Sequence, residues 1–165
     1  MDGIKKVKFL IRTVLIPVLA LFVVVADDDY ALSHKHMEVK HICSCTLDCM
    51  DARVQHAVEE GTQKECHVDL VDVITQAGMV KVLAENQNKS IVDNIKMELG
   101  ISVKKHGTKK VTIAAHADCA GNPVSKEEQI NHLRKAKQTV ESWNLGVEVA
   151  LLWVDVPFKK AELVK

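Results

Sequence analysis

The sequence predicts an α/β domain built on a central, mostly parallel β-sheet flanked by helices. Three observations predict it. Short apolar runs of strand length alternate with longer segments whose apolar residues recur at helical spacing. Capping and turn residues punctuate the joins, as at Ser125 and Gly121-Asn122-Pro123. Residues able to bind metals or move protons stand directly after two of the predicted strands, where open parallel sheets place their sites. The length of 165 residues suits one domain with a real core, and no internal repeat or low-complexity segment interrupts it.

Residues 1–26 have a composition of their own. Lys5, Lys6, Lys8 and Arg12 form a positive leader, and an uncharged run from Thr13 to Ala26 follows. Val24-x-Ala26 supplies a small-residue cleavage pattern, and Asp27-Asp28-Asp29 then changes the character abruptly. This is the three-part design of a secretory signal peptide, so the expectation is export, periplasmic or secreted. The run is short of the roughly 20 apolar residues a membrane span needs. An uncleaved anchor, or a cytoplasmic protein with a docking N-terminal helix, are the alternatives, and membrane contact follows only without cleavage. Residues 27–37 read as a polar linker, and 38–165 as one α/β domain that carries the candidate chemistry.

Within that domain, 38–47 (EVKHICSCTL) reads as the first core strand, running straight into Cys49. Cys43 and Cys45 are two apart and share a strand face; buried small hydrophobes are the default for such residues. Residues 52–66 read as a polar helix with Val54 and Val58 at helical spacing and Gly61 marking its end. Alternation through 67–75 (HVDLVDVIT) predicts a half-buried to buried strand ending in the Gln76-Ala77-Gly78 turn. Ser90-x-x-Asp93 starts a helix carrying Ile91, Val92, Ile95 and Leu99, which Gly100 is expected to stop. The continuous run 111–115 (VTIAA) suits a central parallel strand, and His116 follows at once. Ser125 with Glu128 makes a stronger capping box for a helix to about Trp143, and 147–156 (VEVALLWVDV) is the last clear strand.

Composition narrows the function. Lys plus Arg and Asp plus Glu are both 22, so no net field draws nucleic acid or an anionic membrane. No basic stripe interleaved with aromatics is present either, and nucleic acid is not expected as a partner. Five cysteines cannot all pair within the chain, and their places near strand ends favour metal binding or burial over a disulfide scaffold.

Two stretches carry the chemistry: Cys49-Met-Asp-Ala-Arg53 and His116-Ala-Asp-Cys119. Cys49, His116 and Cys119 offer two thiolates and an imidazole, a soft set suited to zinc that leaves a tetrahedral ion one open position. His116 and Cys119 fall within one turn of chain, and neighbouring parallel strands would bring Cys49 to the same sheet edge. Asp51 and Arg53 alternate with Cys49, so a bidentate pair could hold the carboxylate ionised beside the metal. A carboxylate there can orient a metal-activated water, which equips the site to add hydroxide to a small electrophile.

Cys49-x-Asp51-x-Arg53 with His116-x-x-Cys119 resembles the β-class carbonic anhydrases and their relatives. Ala77-Gly78 and Asp118-Cys119 extend the resemblance, which covers roughly residues 38–158. It implies one zinc ion per chain, held by Cys49, His116 and Cys119, hydrating carbon dioxide to bicarbonate and a proton. It also implies an Asp51–Arg53 dyad and a homodimer or higher homo-oligomer. Ala52 and Ala120 stand where the family commonly has serine and glycine, and the pocket aromatics of the family have no evident counterpart. Relatives with this ligand set hydrolyse carbon disulfide or carbonyl sulfide, which the motif does not separate. A non-catalytic zinc-binding domain is the reading from another class. A thiol-redox module on Cys43 and Cys45 is a third, and Cys66 reads as structural or free.

Overall fold

The computed structural model describes residues 43–165. The expected leader at 1–26, the linker at 27–37 and the start of the first expected strand at 38–42 lie outside the described residues.

Five strands form the sheet: β1 (Cys43–Asp48), β2 (Leu70–Thr75), β3 (Lys110–His116), β4 (Glu148–Val154) and β5 (Ala161–Leu163). Their spatial order is β2-β1-β3-β4-β5. The first four run parallel and only β5 pairs antiparallel, on β4. The central place of β3 follows from its sequence: Val111 through His116 are all buried, as a strand covered on both faces requires. Register places Leu47 of β1 beside Ile113 of β3, and His116 beside Val154 of β4. The carboxyl ends of β1 and β3 therefore lie side by side, which brings Cys49 and His116 to one edge. β2 is an outer strand, so Leu70 and Val73 stay 44% and 47% exposed while Ile74 alone is buried.

Helices α1 (Gln55–Cys66), α2 (Met79–Glu85), α3 (Lys89–Ile101) and α4 (Lys126–Ser142) cover the sheet. Ser125 caps α4 as expected, its hydroxyl accepting from the Glu128 amide at 3.3 Å. Three expectations need correction. Gly61 does not end its helix but lies inside α1, because a Cβ there would stand 2.7 Å from the Ala161 Cβ of β5. The helix stops instead at His67, whose left-handed φ of 55° turns its amide back to the Gln63 carbonyl. Asn88 rather than Ser90 caps α3, its side chain accepting from the Ile91 amide. Gly100 does not stop that helix either: it passes into a π-helical turn, Ser102–His106, which ends at Gly107 with φ 77°. Helix α2 had no forecast; it packs on α4, where Thr139 Oγ1 donates to the Leu83 carbonyl at 2.9 Å.

The main core joins Leu47, Leu83, Leu99, Ile113 and Leu133 with the covering helices. Each such fully buried side chain contributes roughly 2 kcal/mol of transfer free energy. A smaller cluster, Val54, Ala57, Val58, Ala114, Leu152 and Val154, lies under α1, with Phe158 and Ala161 packed against it. Among the described residues no helix is long and apolar enough to cross a membrane.

Candidate metal centre

Cys49 follows β1 directly, and His116 is the last residue of β3. Asp118 then takes a left-handed φ of 53°, which folds the chain so that Cys119 returns to the same place. The three side chains are buried, and their sulfur and ring-nitrogen atoms lie within 4.8 Å of one another. The two Sγ atoms are 3.7 Å apart. His116 Nδ1 lies 2.8 Å from the Ala117 carbonyl, which can only accept, so Nδ1 carries the proton. Nε2 is left with its lone pair, buried and without a hydrogen-bond partner. A metal-ligating histidine is oriented in this way.

The thiols point to the same conclusion. The hydrogen bond from Cys119 pulls Cys49 well below the ordinary thiol value against the effect of burial, with help from His116 and the Gly78 and Asp51 amides. Cys119 is raised, first by that same bond to Cys49 and then by burial. Two sulfurs this close share one proton, and both ionise only when a cation sits between them. Burial lowers His116, but its contacts with Cys49 and the Ala117 carbonyl outweigh this and raise it. Cys-His-Cys, with an orphaned imidazole nitrogen, fits a soft divalent metal ion.

Beside the sulfurs, Arg53 grips Asp51. Its Nε donates to both carboxylate oxygens at 3.0 and 3.1 Å, and its Nη2 donates to Oδ2 at 2.6 Å. The Arg53 amide also donates to Asp51 Oδ1. These hydrogen bonds hold the Asp51 carboxyl at about 2, firmly ionised. Arg53 has a second carboxylate partner, Asp118, reached by Nη1 at 2.9 Å, while Nη2 also donates to the Asp118 carbonyl.

Several supporting residues carried weaker signals. Gln55 Nε2 bridges Asp48 Oδ2, the Cys49 carbonyl and the Asp51 carbonyl, tying the first motif to the start of α1. Burial pushes the Asp48 carboxyl up to about 7, although Gln55 opposes the shift. Gln129 donates to the carbonyls of His116 and Asn122, and Asn122 donates back to Gln129. Its signal was a polar residue in an apolar stripe, since Gln129 is buried in line with Leu133, Ala136 and Val140. Gly78 and Gly121 meet backbone to backbone: a Cβ on Gly121 would stand 2.5 Å from the Gly78 nitrogen. The turn after β2 thus presses on the loop that carries Cys119. Phe158, from the tail, is the aromatic residue at the centre, 4.6 Å from the Arg53 guanidinium.

Among the described residues, three other histidines have acidic partners of their own. His56 pairs with Glu60, His106 with Asp72, and His132 with Asn122 and Glu128. Cys45 is fully buried and free, held as a thiol by burial, which pushes it up to about 12. Cys66 is free at the other end of the sheet.

A mostly parallel sheet with a buried Cys-His-Cys set at its carboxyl edge defines an α/β protein with a candidate metal site. The chain belongs to the family described as "Putative carbonic anhydrase", which it matches over residues 39–164. Among solved structures it is similar to a carbonic anhydrase from Streptococcus mutans, at 16% identity and a TM-score of 0.55, covering 86% of this chain and 95% of that one. It is also similar to β-carbonic anhydrase isoform I from Trichomonas vaginalis, at 12% identity and a TM-score of 0.52, covering 87% and 96%. At these identities the likeness shows a shared fold. No curated protein matches the chain in sequence.

Proposed function

We propose that the protein is a zinc-dependent carbonic anhydrase, hydrating carbon dioxide reversibly to bicarbonate and a proton. The observation that carries this is the convergence of three soft donors, one an imidazole nitrogen with no other partner, beside a carboxylate held ionised by Arg53. Cys49, His116 and Cys119 would hold zinc, and when bound the ion supplies Lewis-acid activation of water. Membership in the carbonic anhydrase family supports the choice of reaction.

The chain's own residues do the rest. Asp51 stays anionic across the working range and accepts a hydrogen bond from water at the centre, which orients it toward a small electrophile. Arg53 fixes the direction of that carboxylate through two parallel donors. The Ala117 carbonyl fixes the His116 tautomer. Arg53 also answers Asp118, so its charge is matched by two carboxylates and the site favours a neutral substrate. Homo-oligomerisation and export belong to the same proposal. Sedimentation tests the first, and N-terminal sequencing of the mature protein tests the second.

Stopped-flow hydration by the zinc-loaded protein decides the reading. Hydration well above the buffer rate is expected, and none at alkaline pH would sink it. Asp51→Asn should keep zinc while losing about a hundredfold or more in kcat/KM; unchanged activity would remove Asp51 from the mechanism.

A further inference from the structure

We infer that Phe158 is a positioning residue for the Asp51–Arg53 pair: its ring face carries the guanidinium and fixes it over the metal centre. The inference rests on the hydration reading for its consequence, but not for the contact itself.

Most of the in-plane donors of Arg53 are taken. Nε and Nη2 serve Asp51, and Nη1 and Nη2 serve Asp118. What those bonds leave open is the flat face of the guanidinium, and Phe158 lies 4.6 Å from it. The negative face of an aromatic ring attracts a cation at that distance. The same ring stands nearly perpendicular to the His116 imidazole, with centroids 6.4 Å apart and planes at 72°. Edge-to-face contact of this kind is the favoured aromatic geometry. Phe158 thus touches both a residue of the dyad and an imidazole of the donor set. Its remaining surface packs on the small cluster around Val54, Val58 and Val154, which anchors the ring from behind.

The backbone confirms that this placement is held against a local preference. Phe158 has φ 64°, a left-handed conformation that a bulky side chain rarely adopts. Such a conformation persists only where the surroundings over-determine it. Here they do: the Phe158 amide donates to the Asp155 carbonyl at 2.6 Å. Asp155 in turn accepts from Val156, Trp153 and Lys126. With a flexible aliphatic residue in place of the ring, the half-exposed guanidinium would gain a water-facing side. Arg53 would then sample other rotamers and release Asp51. A packing role alone needs only apolar volume at 158; the positioning role needs the ring's electrons.

The test is a series at position 158: Phe158→Leu, Phe158→Tyr, and replacement of the phenylalanine by its mono-, di- and trifluoro analogues. Fluorine withdraws density from the ring face while keeping its shape, so these proteins fold even where the leucine variant does not. Two readouts are taken, kcat for carbon dioxide hydration and the solvent exchange rate of the Arg53 Nε proton by NMR. The expected result for Phe158→Leu is about tenfold faster exchange and about tenfold lower kcat at unchanged zinc content. The fluorinated series should move both stepwise, and Phe158→Tyr should restore both. Equal exchange and equal kcat across the fluorinated series would overturn the inference. Exchange needs no activity, so a wild-type protein without hydration overturns the hydration reading while the exchange series still decides the Phe158 contact.

Discussion

The two ends of the sheet each hold a cysteine in a partly closed setting, and they differ in every respect that matters to chemistry. At the amino-terminal end, Cys66 lines a cavity of about 640 Å³ together with Lys64, His67, Lys110 and Lys160. Burial raises its thiol, although Ser44 and Lys110 pull the other way. Lys110, a cation of the same cavity, is already bridged to Glu65 at 2.8 Å and to Glu148 at 3.3 Å. At the carboxyl end, Cys49 sits among donors that lower it, and a neighbouring imidazole nitrogen lacks a partner. Open volume therefore marks access, whereas unmatched donors aimed at one point mark a site.

The largest expected effect breaks that contrast outright. Cys49→Ser or Cys119→Ser should take bound zinc from about one per chain to near zero, while Cys66→Ser should leave it unchanged. Metal analysis of the purified variants decides this, and zinc loss in the Cys66 variant would abolish the distinction between the ends.

Glycine substitutions sharpen it next. Gly78→Ala places a side chain against Gly121 at a φ of 62°, and should cost at least about 2 kcal/mol of stability. Gly107→Ala at the opposite end meets open space and should cost only about 1 kcal/mol, the left-handed strain alone. Urea unfolding of both variants compares them; equal losses would mean the Gly78–Gly121 contact gives way without cost.

Thiolate absorbance of the zinc-free protein separates the cysteines. One thiolate should appear well below the ordinary thiol range, because Cys119 donates to Cys49, and Cys49→Ser should remove that step. Cys45 should ionise only near 12. A wild-type titration with no acidic step would contradict the pairing of Cys49 with Cys119.

The smallest effect concerns Asp155, which seats the Phe158 turn. Its bonds to Lys126, Trp153 and Val156 hold it at about 2, below the ordinary 3.8. A depressed carboxylate contributes stability above the unfolded value and loses it as pH falls through the folded one. The Trp153 fluorescence of a Trp143→Phe protein should therefore change between about pH 4 and 2, and Asp155→Asn should flatten that change.

Much of this architecture is legible in the amino-acid order. The run 111–115 reads as a central strand because it is short, uncharged and mostly apolar on both faces, without the alternation of a half-exposed strand. Ser125 and Glu128 announce α4, and the spacing of Cys49, His116 and Cys119 announces the donor set. What stayed hidden depends on partners distant in sequence. Gly61 reads as a helix stop until β5 is seen crossing α1 at Ala161, where a glycine is the only fit. Helix α2 is too short for periodicity to speak, and its cap, Gly78, offers no side chain. Phe158 beside Arg53 also stayed hidden, since a lone aromatic in a mixed tail carries no periodic signal.

The Gly78–Gly121 crossing also constrains how this chain can vary. Neither position can take a side chain while the other stays in place, because the obstacle each presents is backbone, which no smaller residue can relieve. A change at one therefore has no compensating change at the other. If both codons were randomised together and selected for zinc retention, the survivors should carry glycine at both, making this pair as invariant under selection as the ligands themselves.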